Sequence, residues 1–327
     1  MRKNIAIIMG GYSSEVEISL KSGNIVYQNM SKEKYNSFRV HILINKWVAL
    51  DDFDNEYAIN KHDFSFEING KKVNFDCVFN AIHGNPGEDG TILAYFNLIG
   101  LKHTSAPFYQ MALTFNKRDC LSVVKPYGIK TATSYYLDKG DVVNVDEIVA
   151  KVGLPCFIKP NNAGSSFGIS KAKTKEEILP AIEKAYKEDS QILIEEFLDG
   201  AEITIGVFQY KGETKVLPMT EIVSENEFFD YEAKYLGKSQ EITPARISDD
   251  LHKKLEKTAK QVYEILNMSG FSRSEYIIVN NEPHFLEMNT VPGLTSASII
   301  PQQAAAAGIS LPELFENAIE MALKNNI

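Results

Sequence analysis

Short apolar runs alternate along the chain with longer stretches in which apolar residues recur every three or four positions. The first pattern predicts buried strands, and the second predicts amphipathic helices. In the first hundred residues we predict strands at 5–9, 38–44 and 76–82, and helices at 15–30 and 91–98. Strands that alternate with helices are typical of an α/β protein, so this region predicts a small doubly wound domain with a parallel sheet.

The middle of the chain continues this alternation. A helix is predicted at 112–126, with Lys117 inside it. The predicted strands are 153–160, 169–173 and 191–195. Thr174 followed by Glu177 has the spacing of a capping box, which predicts that a helix begins directly after the second of these strands.

The last third of the chain has the alternation of an antiparallel sheet. Its predicted strands are 202–210, 215–222, 277–279 and 284–288. Residues 224–240 between them are polar and aromatic with little periodicity, and a loop of that length inside a compact domain is usually functional. Amphipathic helices are predicted after Ser248 and Ser310.

The composition excludes several classes of protein. The chain has 327 residues, 44% hydrophobic and 24% charged, so it can form two or three domains and is neither disordered nor fibrous. Its net charge of −9 argues against a protein whose main task is to coat nucleic acid or an anionic membrane. We place the predicted domains at 1–105, 106–198 and 199–327.

The cysteines and the N-terminus bear on where the protein works. Cys77, Cys120 and Cys156 have neither metal-ligand spacing nor a disulfide framework, which favours a reduced, intracellular setting. The N-terminal apolar run of five residues is too short for a signal sequence, and no stretch approaches the roughly 20 apolar residues that span a bilayer. We therefore expect a cytoplasmic protein with no membrane segment and no nucleic-acid partner.

Charged residues alternate along the predicted hairpin near the end of the chain. Because residues i and i+2 of a strand point to the same face, Arg273 shares a face with Glu275, and Glu287 shares one with Asn289. If the hairpin pairs as its turn indicates, all four converge on one surface. Carboxylate and amide oxygens suit a Mg²⁺ that bridges phosphates, and the arginine can meet a phosphoryl group or an oxyanion. The alternative is a salt-bridged sheet surface.

A second candidate site joins a lysine to a glycine-rich loop. Lys159, on a predicted strand, precedes the sequence NNAGSSFG. Its glycines let backbone amides approach a phosphate, and the hydroxyl groups of Ser165 and Ser166 add donors. This is not the P-loop pattern, because the lysine comes before the loop. The alternative is an ordinary hairpin turn.

Two further candidates follow predicted strands of the first domain. His83 opens the loop HGNPGEDG, whose acids Glu88 and Asp89 are either functional or caps of the next helix. Glu15 follows a glycine pair at a helix N-terminus, where the helix dipole favours an acid whatever the function. The pair lacks the spacing G-x-G-x-x-G, which argues against a nicotinamide site.

Taken in this order, the motifs resemble those of the D-alanine–D-alanine ligases of the ATP-grasp superfamily. The matching stretches run from residue 10 to residue 301 and cover nearly the whole chain. They are GGYSSEVEISL, HGNPGEDG, NKR at 116–118, FIKPNNAGSSFGIS, LIEEFLDGAEIT, FFDYEAKY and LEMNTVPGLTSASIIP. Seven stretches in family order are far more specific than any one of them, and they favour the functional alternatives above over the structural ones.

The resemblance implies a three-domain ATP-grasp ligase with an α/β fold, α+β in places, that clasps ATP between its second and third domains. It implies that the carboxylate of one D-alanine attacks the γ-phosphate of ATP to give an acyl phosphate, which the amine of a second D-alanine then attacks. The implied product is D-alanyl-D-alanine for peptidoglycan. The implied cofactors are ATP as co-substrate and two Mg²⁺ ions, for which Mn²⁺ can substitute, and the implied assembly is a homodimer.

The resemblance also implies roles for residues at the two substrates. Glu15 resembles the anchor for the ammonium group of the first D-alanine, and His83 lies near the carboxylate of that substrate. Gly293 and Ser298 resemble the site of the second D-alanine, with Ser298 at its carboxylate. Arg273 resembles the group that stabilises the oxyanion of the tetrahedral intermediate.

A larger set is implied around the nucleotide. It comprises the phosphate lysines Lys117 and Lys159, the loop serines Ser165 and Ser166, the adenine hinge Glu195, Phe197 and Leu198, and Glu202 near the ribose. Lys234 and Tyr235 resemble a lid that closes over the reacting phosphate and keeps water from the acyl phosphate. Ser165, Lys234 and Tyr235 are thereby implied to take part in catalysis with Glu15 and Arg273.

The implied metal ligands are Glu275, Glu287 and Asn289, with Glu287 bridging the two ions. The family usually has an aspartate two residues after the arginine, so Glu275, one methylene longer, either reaches the metal differently or binds it through water.

In the family a tyrosine at the position of Tyr235 goes with dipeptide formation, and a phenylalanine goes with use of D-lactate. We therefore expect an amine as the second nucleophile.

Three alternatives remain open at the level of sequence. One is an ATP-dependent ligase that joins another carboxylate to another amine, against which Glu15, His83 and Ser298 favour D-alanine. Another is a nucleotide-binding scaffold without activity, but Arg273, Lys234 and Glu287 are all present. The last is a nicotinamide oxidoreductase, which the missing dinucleotide motif disfavours.

Overall fold

A computed structural model describes residues 2–164, 166–224 and 239–324 of the protein. The N-terminal region contains the strands β1 (Lys3–Gly10), β2 (Tyr35–Leu43), β3 (Lys46–Leu50), β4 (Glu56–Ala58), β5 (Phe66–Ile68), β6 (Lys71–Val73), β7 (Cys77–Asn80) and β8 (Lys102–His103). β5 and β6 form a separate hairpin, and the others form a first sheet ordered β4-β3-β2-β1-β7-β8. β1 pairs in parallel with β2 and β7, as expected for a doubly wound sheet.

The second sheet consists of four antiparallel strands in the order β11-β10-β12-β9. These strands are β9 (Ser134–Asp138), β10 (Cys156–Pro160), β11 (Ser170–Ala172) and β12 (Gln191–Glu196). One face of the sheet is apolar, with Ile158, Ile192 and Ile194 wholly buried in a core of their own. The other face carries Lys159 and Glu195, because side chains alternate along each strand.

The third sheet is antiparallel and has the order β16-β15-β13-β17-β18, with β14 paired to β13. Its strands are β13 (Ala201–Tyr210), β14 (Glu213–Val216), β15 (Thr220–Ser224), β16 (Ser239–Ile242), β17 (Ser272–Val279) and β18 (Glu282–Asn289). The hairpin of β17 and β18 turns at Asn280 and Asn281, both with positive φ, which suits a two-residue turn.

The helices of the described residues are α1 (Val16–Asn29), α2 (Thr91–Leu98), α3 (Phe108–Phe115), α4 (Lys117–Val124), α5 (Val145–Val152), α6 (Lys175–Ala185), α7 (Asp249–Ile265), α8 (Ile299–Ala306) and α9 (Leu311–Lys324). A short 3₁₀ helix, Lys125–Tyr127, follows α4. Within the described ranges, no helix is both long and apolar enough to cross a membrane.

Three local predictions from the sequence are wrong. The strand expected at 215–222 is two strands, β14 and β15, because residues 217–219 between them leave the strand pairing. The single helix expected at 112–126 is two helices, because the side chain of Asn116 accepts a hydrogen bond from the Asp119 amide at 3.0 Å and begins α4. The capping box at Thr174 does not form. Instead Glu177 Oε2 accepts from the amide of Lys173 at 2.6 Å, one residue earlier than the box requires.

The end of the chain returns to the N-terminal sheet. Ile5, Ile7 and Met9 of β1 are wholly buried in a core to which α9 contributes Phe315 and Ile319. The ring of Phe315 lies 5.7 Å from that of Phe79 on β7 in an edge-to-face arrangement. The last helix therefore ties the C-terminal region to the first sheet. The predicted domain boundaries themselves stay a prediction.

Candidate active site

A cavity of about 440 Å³, which we call the inter-sheet cleft, separates the second sheet from the third. The predicted nucleotide residues that line it are Lys117, Lys159, Ser166, Glu195, Phe197, Leu198 and Glu202, and two predicted metal ligands, Glu275 and Glu287, line it as well. The fold thus brings together side chains from distant parts of the sequence. Ser166 has a φ of +59°, in the left-handed region, and so marks a tight turn of the glycine-rich loop.

The wall formed by the second sheet carries an ion pair. Lys159 Nζ lies 2.7 Å from Glu195 Oε2, and the Glu195 side chain is 4% exposed. Burial opposes the charge of Lys159, but the carboxylates of Glu195, Glu287 and Glu275 together outweigh burial, so the pKa of Lys159 is raised and the charged ammonium group is favoured. A fixed cation in the cleft suits a phosphate group.

Apolar side chains line the cleft near the connection from β12 to β13. Ile222, Ile277 and Leu286 come from the third sheet, and Phe157 comes from the second. The Phe157 ring lies 6.1 Å from the ring of Phe197, in the connection itself. Apolar walls with backbone groups at the edge suit a flat heteroaromatic base.

A second cavity of about 350 Å³, the inner cavity, lies between the third sheet and the N-terminal region. All four predicted substrate residues, Glu15, His83, Gly293 and Ser298, line it, together with Arg273, Glu287 and Asn289. Lys117, Ala163, Gly164 and Glu287 line both cavities, so the two cavities join at these residues. Groups bound in the two cavities can therefore meet at this junction.

Lys117 is placed at the junction by the break between α3 and α4. The amide of Arg118 donates to Asn161 Oδ1 at 2.9 Å, which fixes the start of α4 against the glycine-rich loop. Lys117 Nζ donates to the Ala163 carbonyl at 2.7 Å and lies 3.2 Å from Glu287 Oε2. A lysine held between a phosphate-type loop and a carboxylate suits a transferring phosphoryl group.

The hairpin of the third sheet brings its four charged and polar residues together, as predicted. Arg273 pairs with Asn289 across the strands, and Glu275 pairs with Glu287, with an irregular register directly after Glu275. Arg273 Nη2 lies 2.7 Å from Glu275 Oε1, and Glu275 is 6% exposed. The sequence analysis assumed that the two strands of this hairpin pair with each other, and the structure shows that pairing.

The oxygen atoms of this hairpin fit a hard divalent cation by their chemistry, although each already has a protein partner. Glu275 contacts Arg273, Glu287 contacts Lys117, and Asn289 Oδ1 accepts from the Val291 amide at 3.0 Å. In the part of the chain that the structure describes, no three or more histidine, cysteine or acidic side chains lie close enough together to hold a metal ion. Two carboxylates and an amide on one wall nevertheless form a donor set suited to Mg²⁺.

Glu15 lies at the start of α1 and reaches into the inner cavity. A Cβ atom at Gly164 would lie 2.9 Å from Glu15 Oε2 and 3.2 Å from Oε1. Only glycine therefore lets the loop approach this carboxylate so closely. An acid on the wall of a cavity is suited to bind an ammonium group.

His83 is attached to α1 through one ring nitrogen. Its Nε2 lies 3.1 Å from Ser22 Oγ on α1. Burial lowers its pKa, although the charge of Glu15 acts in the opposite direction, so the neutral form of the ring is favoured. His83 thus lines the inner cavity and is held against the wall that α1 forms.

The predicted second-substrate residues lie on the segment after β18. Ser298 is the N-cap of α8, and its Oγ lies 2.8 Å from Thr295 Oγ1. A Cβ atom at Gly293 would lie 2.7 Å from Ser298 Oγ, so this glycine leaves room beside the hydroxyl group. A hydroxyl group at a helix N-terminus suits a carboxylate.

Sequence reasoning left open one acid of the inner cavity, Glu88, and missed another, Glu241. Glu88 is 7% exposed, and burial together with Glu15 raises its pKa to about 7. Burial also raises the pKa of Glu241 on β16, whose Oε2 accepts from Gln302 Nε2 at 2.8 Å. No spacing rule singles out Glu241, because it follows a long aperiodic segment.

The predicted site residues Ser165, Lys234 and Tyr235 lie outside the described residues.

Family models match both parts of the chain. The model described as D-ala D-ala ligase N-terminus matches residues 4–106, and the model described as D-ala D-ala ligase C-terminus matches residues 123–320. The chain belongs to the D-alanine–D-alanine ligase family. The α/β fold of an ATP-grasp ligase is confirmed, and so is the prediction of an ATP-dependent ligase.

Similarity to known ligases extends over nearly the whole chain. A D-alanine–D-alanine ligase of Flavobacterium johnsoniae is 69% identical over 98% of this chain and 99% of its own length. The solved VanG D-Ala:D-Ser ligase of Enterococcus faecalis is 31% identical, with a TM-score of 0.89 over 98% of this chain and 100% of its own. A Bacillus anthracis D-alanine–D-alanine ligase solved with ATP is 27% identical, with a TM-score of 0.79 over 98% of both chains.

Proposed function

We propose that the chain joins two molecules of D-alanine while ATP is converted to ADP and phosphate, and that the dipeptide is used for peptidoglycan. The observation that most supports this reaction is the junction of the two cavities at Lys117 and Glu287. A nucleotide in the inter-sheet cleft and an amino acid in the inner cavity would present their reacting groups to each other there. Bringing reacting groups together in this way accounts for a large part of catalysis.

In the first step, a carboxylate oxygen of the first D-alanine attacks the γ-phosphorus of ATP, and ADP leaves. Glu15 binds the ammonium group of this D-alanine, which leaves its carboxylate to face the junction. Lys117 and Lys159 neutralise the phosphate oxygens, with Ser165 and Ser166 as additional donors. The base of ATP occupies the apolar end of the cleft.

In the second step, the amine of the second D-alanine attacks the acyl carbon, and phosphate leaves. Ser298 and the backbone near Gly293 bind the carboxylate of this D-alanine. Arg273 stabilises the negative oxygen of the tetrahedral intermediate, since its guanidinium group lies on the wall of the inner cavity. Lys234 and Tyr235 complete the site as a lid that excludes water.

The residues proposed to hold two Mg²⁺ ions are Glu275, Glu287 and Asn289, and Mn²⁺ is expected to substitute. The ions would supply charge neutralisation at the phosphates of ATP. Glu275 and Glu287, which contact Arg273 and Lys117 in the structure, would hold the ions with Asn289, and Arg273 and Lys117 would then face the substrate.

The remaining predictions concern the whole molecule. We propose three domains at 1–105, 106–198 and 199–327, and a homodimer, with ATP and D-alanine as the small-molecule partners. A cytoplasmic location follows from the need for ATP. Light scattering on the purified protein tests the dimer, for which a mass near 73 kDa is expected from about twice the 36.6 kDa chain.

The experiment that tests the function measures phosphate release from ATP and Mg²⁺ with D-alanine, L-alanine or D-lactate. We expect release with D-alanine only, together with a dipeptide identified by mass. Equal release with all three substrates, or release without dipeptide, would contradict the proposed substrate. A further arm contains D-alanine plus D-serine, because the Enterococcus faecalis protein of similar fold is named a D-Ala:D-Ser ligase.

A further inference from the structure

The helix that begins at Ser298 is attached to the third sheet by a buried side chain. Ser298 is the N-cap of α8, and Gln303, five residues further along, is wholly buried. Gln303 Oε1 accepts from the amide of Gly206 on β13 at 2.9 Å. Gln303 Nε2 donates to the Thr204 carbonyl on the same strand and to Thr220 Oγ1 on β15, both at 3.0 Å. The oxygen and both N–H groups of this amide are therefore hydrogen-bonded.

These contacts fall at a gap in the strand pairing of β13. The pairing with β15 ends at Thr204, and the pairing with β14 begins at Val207. At this gap the Gln303 amide accepts from one backbone N–H of β13 and donates to one backbone carbonyl. A side chain of α8 thus takes the place of a strand partner, which holds the helix in one position along β13.

The stretch of β13 that Gln303 binds lies beside two residues of the proposed active site. Gly206 pairs with Arg273 of β17, and Thr204 pairs with Glu275. Adjacent strands lie only about 4.8 Å apart. Gln303 therefore binds the backbone directly next to the proposed oxyanion group and to a proposed metal ligand.

The helix also packs closely on this stretch. A Cβ atom at Gly206 would lie 2.5 Å from Ile300 Cδ1 and 2.7 Å from Gln303 Oε1, so glycine allows the approach. Because directly opposed residues of antiparallel strands have their side chains on the same face, α8 lies on the face that carries Arg273. Arg273 and Ser298 both line the inner cavity, on walls that Gln303 joins.

We propose that Gln303 is a positioning residue, which sets the place of Ser298 relative to Arg273 and so determines where the second D-alanine is held. This inference rests on the proposed function, because it assigns the second D-alanine to Ser298 and the oxyanion to Arg273. Gln303 lines neither cavity, so it acts through α8 and β13 and not by touching substrate. Neither the motifs of the sequence nor the family resemblance gave it a role.

The alternative is that Gln303 only stabilises the fold, and the chain contains a matched control for that role. Asn317 on α9 is 6% exposed. Its Oδ1 accepts from the Lys211 amide at 2.9 Å, and its Nδ2 donates to the Gln209 carbonyl at 2.8 Å. Asn317 therefore joins a helix to the end of β13 by the same pair of contacts, but α9 carries no proposed site residue. A purely structural role predicts the same consequences for both amides.

The test compares Gln303→Met with Asn317→Leu. Each substitution nearly keeps the size of the side chain and removes its amide. ADP release is measured as a function of D-alanine, with one Michaelis constant fitted for each of the two D-alanine sites, and then as a function of ATP. We expect Q303M to raise the second D-alanine constant about tenfold and the ATP constant less than twofold. N317L should change neither constant, although urea denaturation should show a loss of stability in both variants.

Thr220→Val provides a milder variant, which decides the question if Q303M does not fold. Valine has the shape of threonine but removes the hydroxyl group to which Gln303 Nε2 donates, so the second D-alanine constant should rise about threefold. Thr220 Oγ1 also lies 2.6 Å from Thr243 Oγ1. Thr243→Val removes that contact alone and should leave the constant unchanged.

Three results would overturn the positioning role of Gln303. They are an unchanged second D-alanine constant in Q303M or, if that variant does not fold, in T220V; an equal rise in the ATP constant; and an equal rise of the second D-alanine constant in N317L. The last would show that the loss of any buried amide on β13 disturbs the site. Absence of dipeptide from the unmodified protein would instead contradict the proposed function, so the two failures are distinct.

Discussion

Lys117 Nζ lies 3.2 Å from Glu287 Oε2 at the place where the inter-sheet cleft meets the inner cavity. The two side chains come from α4 and β18, which belong to different parts of the fold. An ammonium group and a carboxylate that neutralise each other can exchange that contact for a phosphate and a cation. The pair therefore marks the expected centre of phosphoryl transfer.

Replacement of Glu287 by glutamine should lower kcat by at least about 100-fold, because it removes one of two carboxylates from the proposed metal site. The fold should persist, since the side chains have the same size. The measurement is phosphate release at increasing concentrations of Mg²⁺, where E287Q should require more metal.

The control for this variant is Glu282→Gln on the same strand. Glu282 forms ion pairs with Lys130 and Lys254 at the protein surface and lines neither cavity. E282Q should keep the kcat and the Mg²⁺ requirement of the unmodified protein. Equal losses in E282Q and E287Q would show that the effect comes from the strand and not from the site.

The buried pair of Lys159 and Glu195 should contribute to stability as well as to nucleotide binding. Glu195→Ala leaves a buried ammonium group without its carboxylate, and such a change costs about 3–5 kcal/mol in the free energy of unfolding. Urea denaturation measures this loss. The Michaelis constant for ATP should also rise in the same variant. The exposed pair of Lys175 and Asp146 provides the control, because Asp146→Ala removes a contact in water and should leave both quantities unchanged.

Gly164→Ala tests the close approach of the glycine-rich loop to Glu15. The added Cβ would lie 2.9 Å from Glu15 Oε2, so either the carboxylate or the loop must shift. Glu15 is proposed to bind the ammonium group of the first D-alanine, so the Michaelis constant for that substrate should rise about tenfold. The free energy of unfolding should change little. A G164A protein with unchanged D-alanine constants would argue that Glu15 does not bind substrate in this position.

The sequence predicted much of this site because its chemistry lies on regular elements. The alternation along β17 and β18 predicted that Arg273, Glu275, Glu287 and Asn289 share a surface, and the observed register brings them together. The prediction depended only on the two-residue period of a strand. The apolar runs likewise predicted β1, α1, β2, β7 and α2 in their order, but not the short strands β3–β6 that lie between β2 and β7.

The parts that the sequence did not predict depend on contacts between distant segments. A helical pattern runs through Asn116, but the side-chain contact from Asn116 to the Asp119 amide divides it into two helices and sets the place of Lys117. Glu88 could be a cap or a functional group on the sequence alone. Only the fold places its side chain on the wall of the inner cavity together with Arg273 and Ser298, which lie far along the chain.

The raised pKa of Glu88 predicts how stability depends on pH. Burial and the charge of Glu15 raise this pKa from 4.5 to about 7, so between these values the folded state binds more protons than the unfolded state. The free energy of unfolding should therefore fall as pH rises through this window, and the contribution of Glu88 should amount to about 2–3 kcal/mol between pH 5 and pH 8. Glutamine does not titrate, so Glu88→Gln removes this contribution.

Urea denaturation of both proteins at pH 5, 6, 7 and 8 isolates the effect, since all other titrating groups are shared. The stability of the unmodified protein minus that of E88Q should fall steadily from pH 5 to pH 8. A difference that stays constant would show that Glu88 titrates alike in both states, and that the surrounding amides offset its burial. A difference that rises with pH would show that those amides and Lys117 hold the carboxylate ionised in the folded protein, because a lowered pKa gives stability that is lost on acidification.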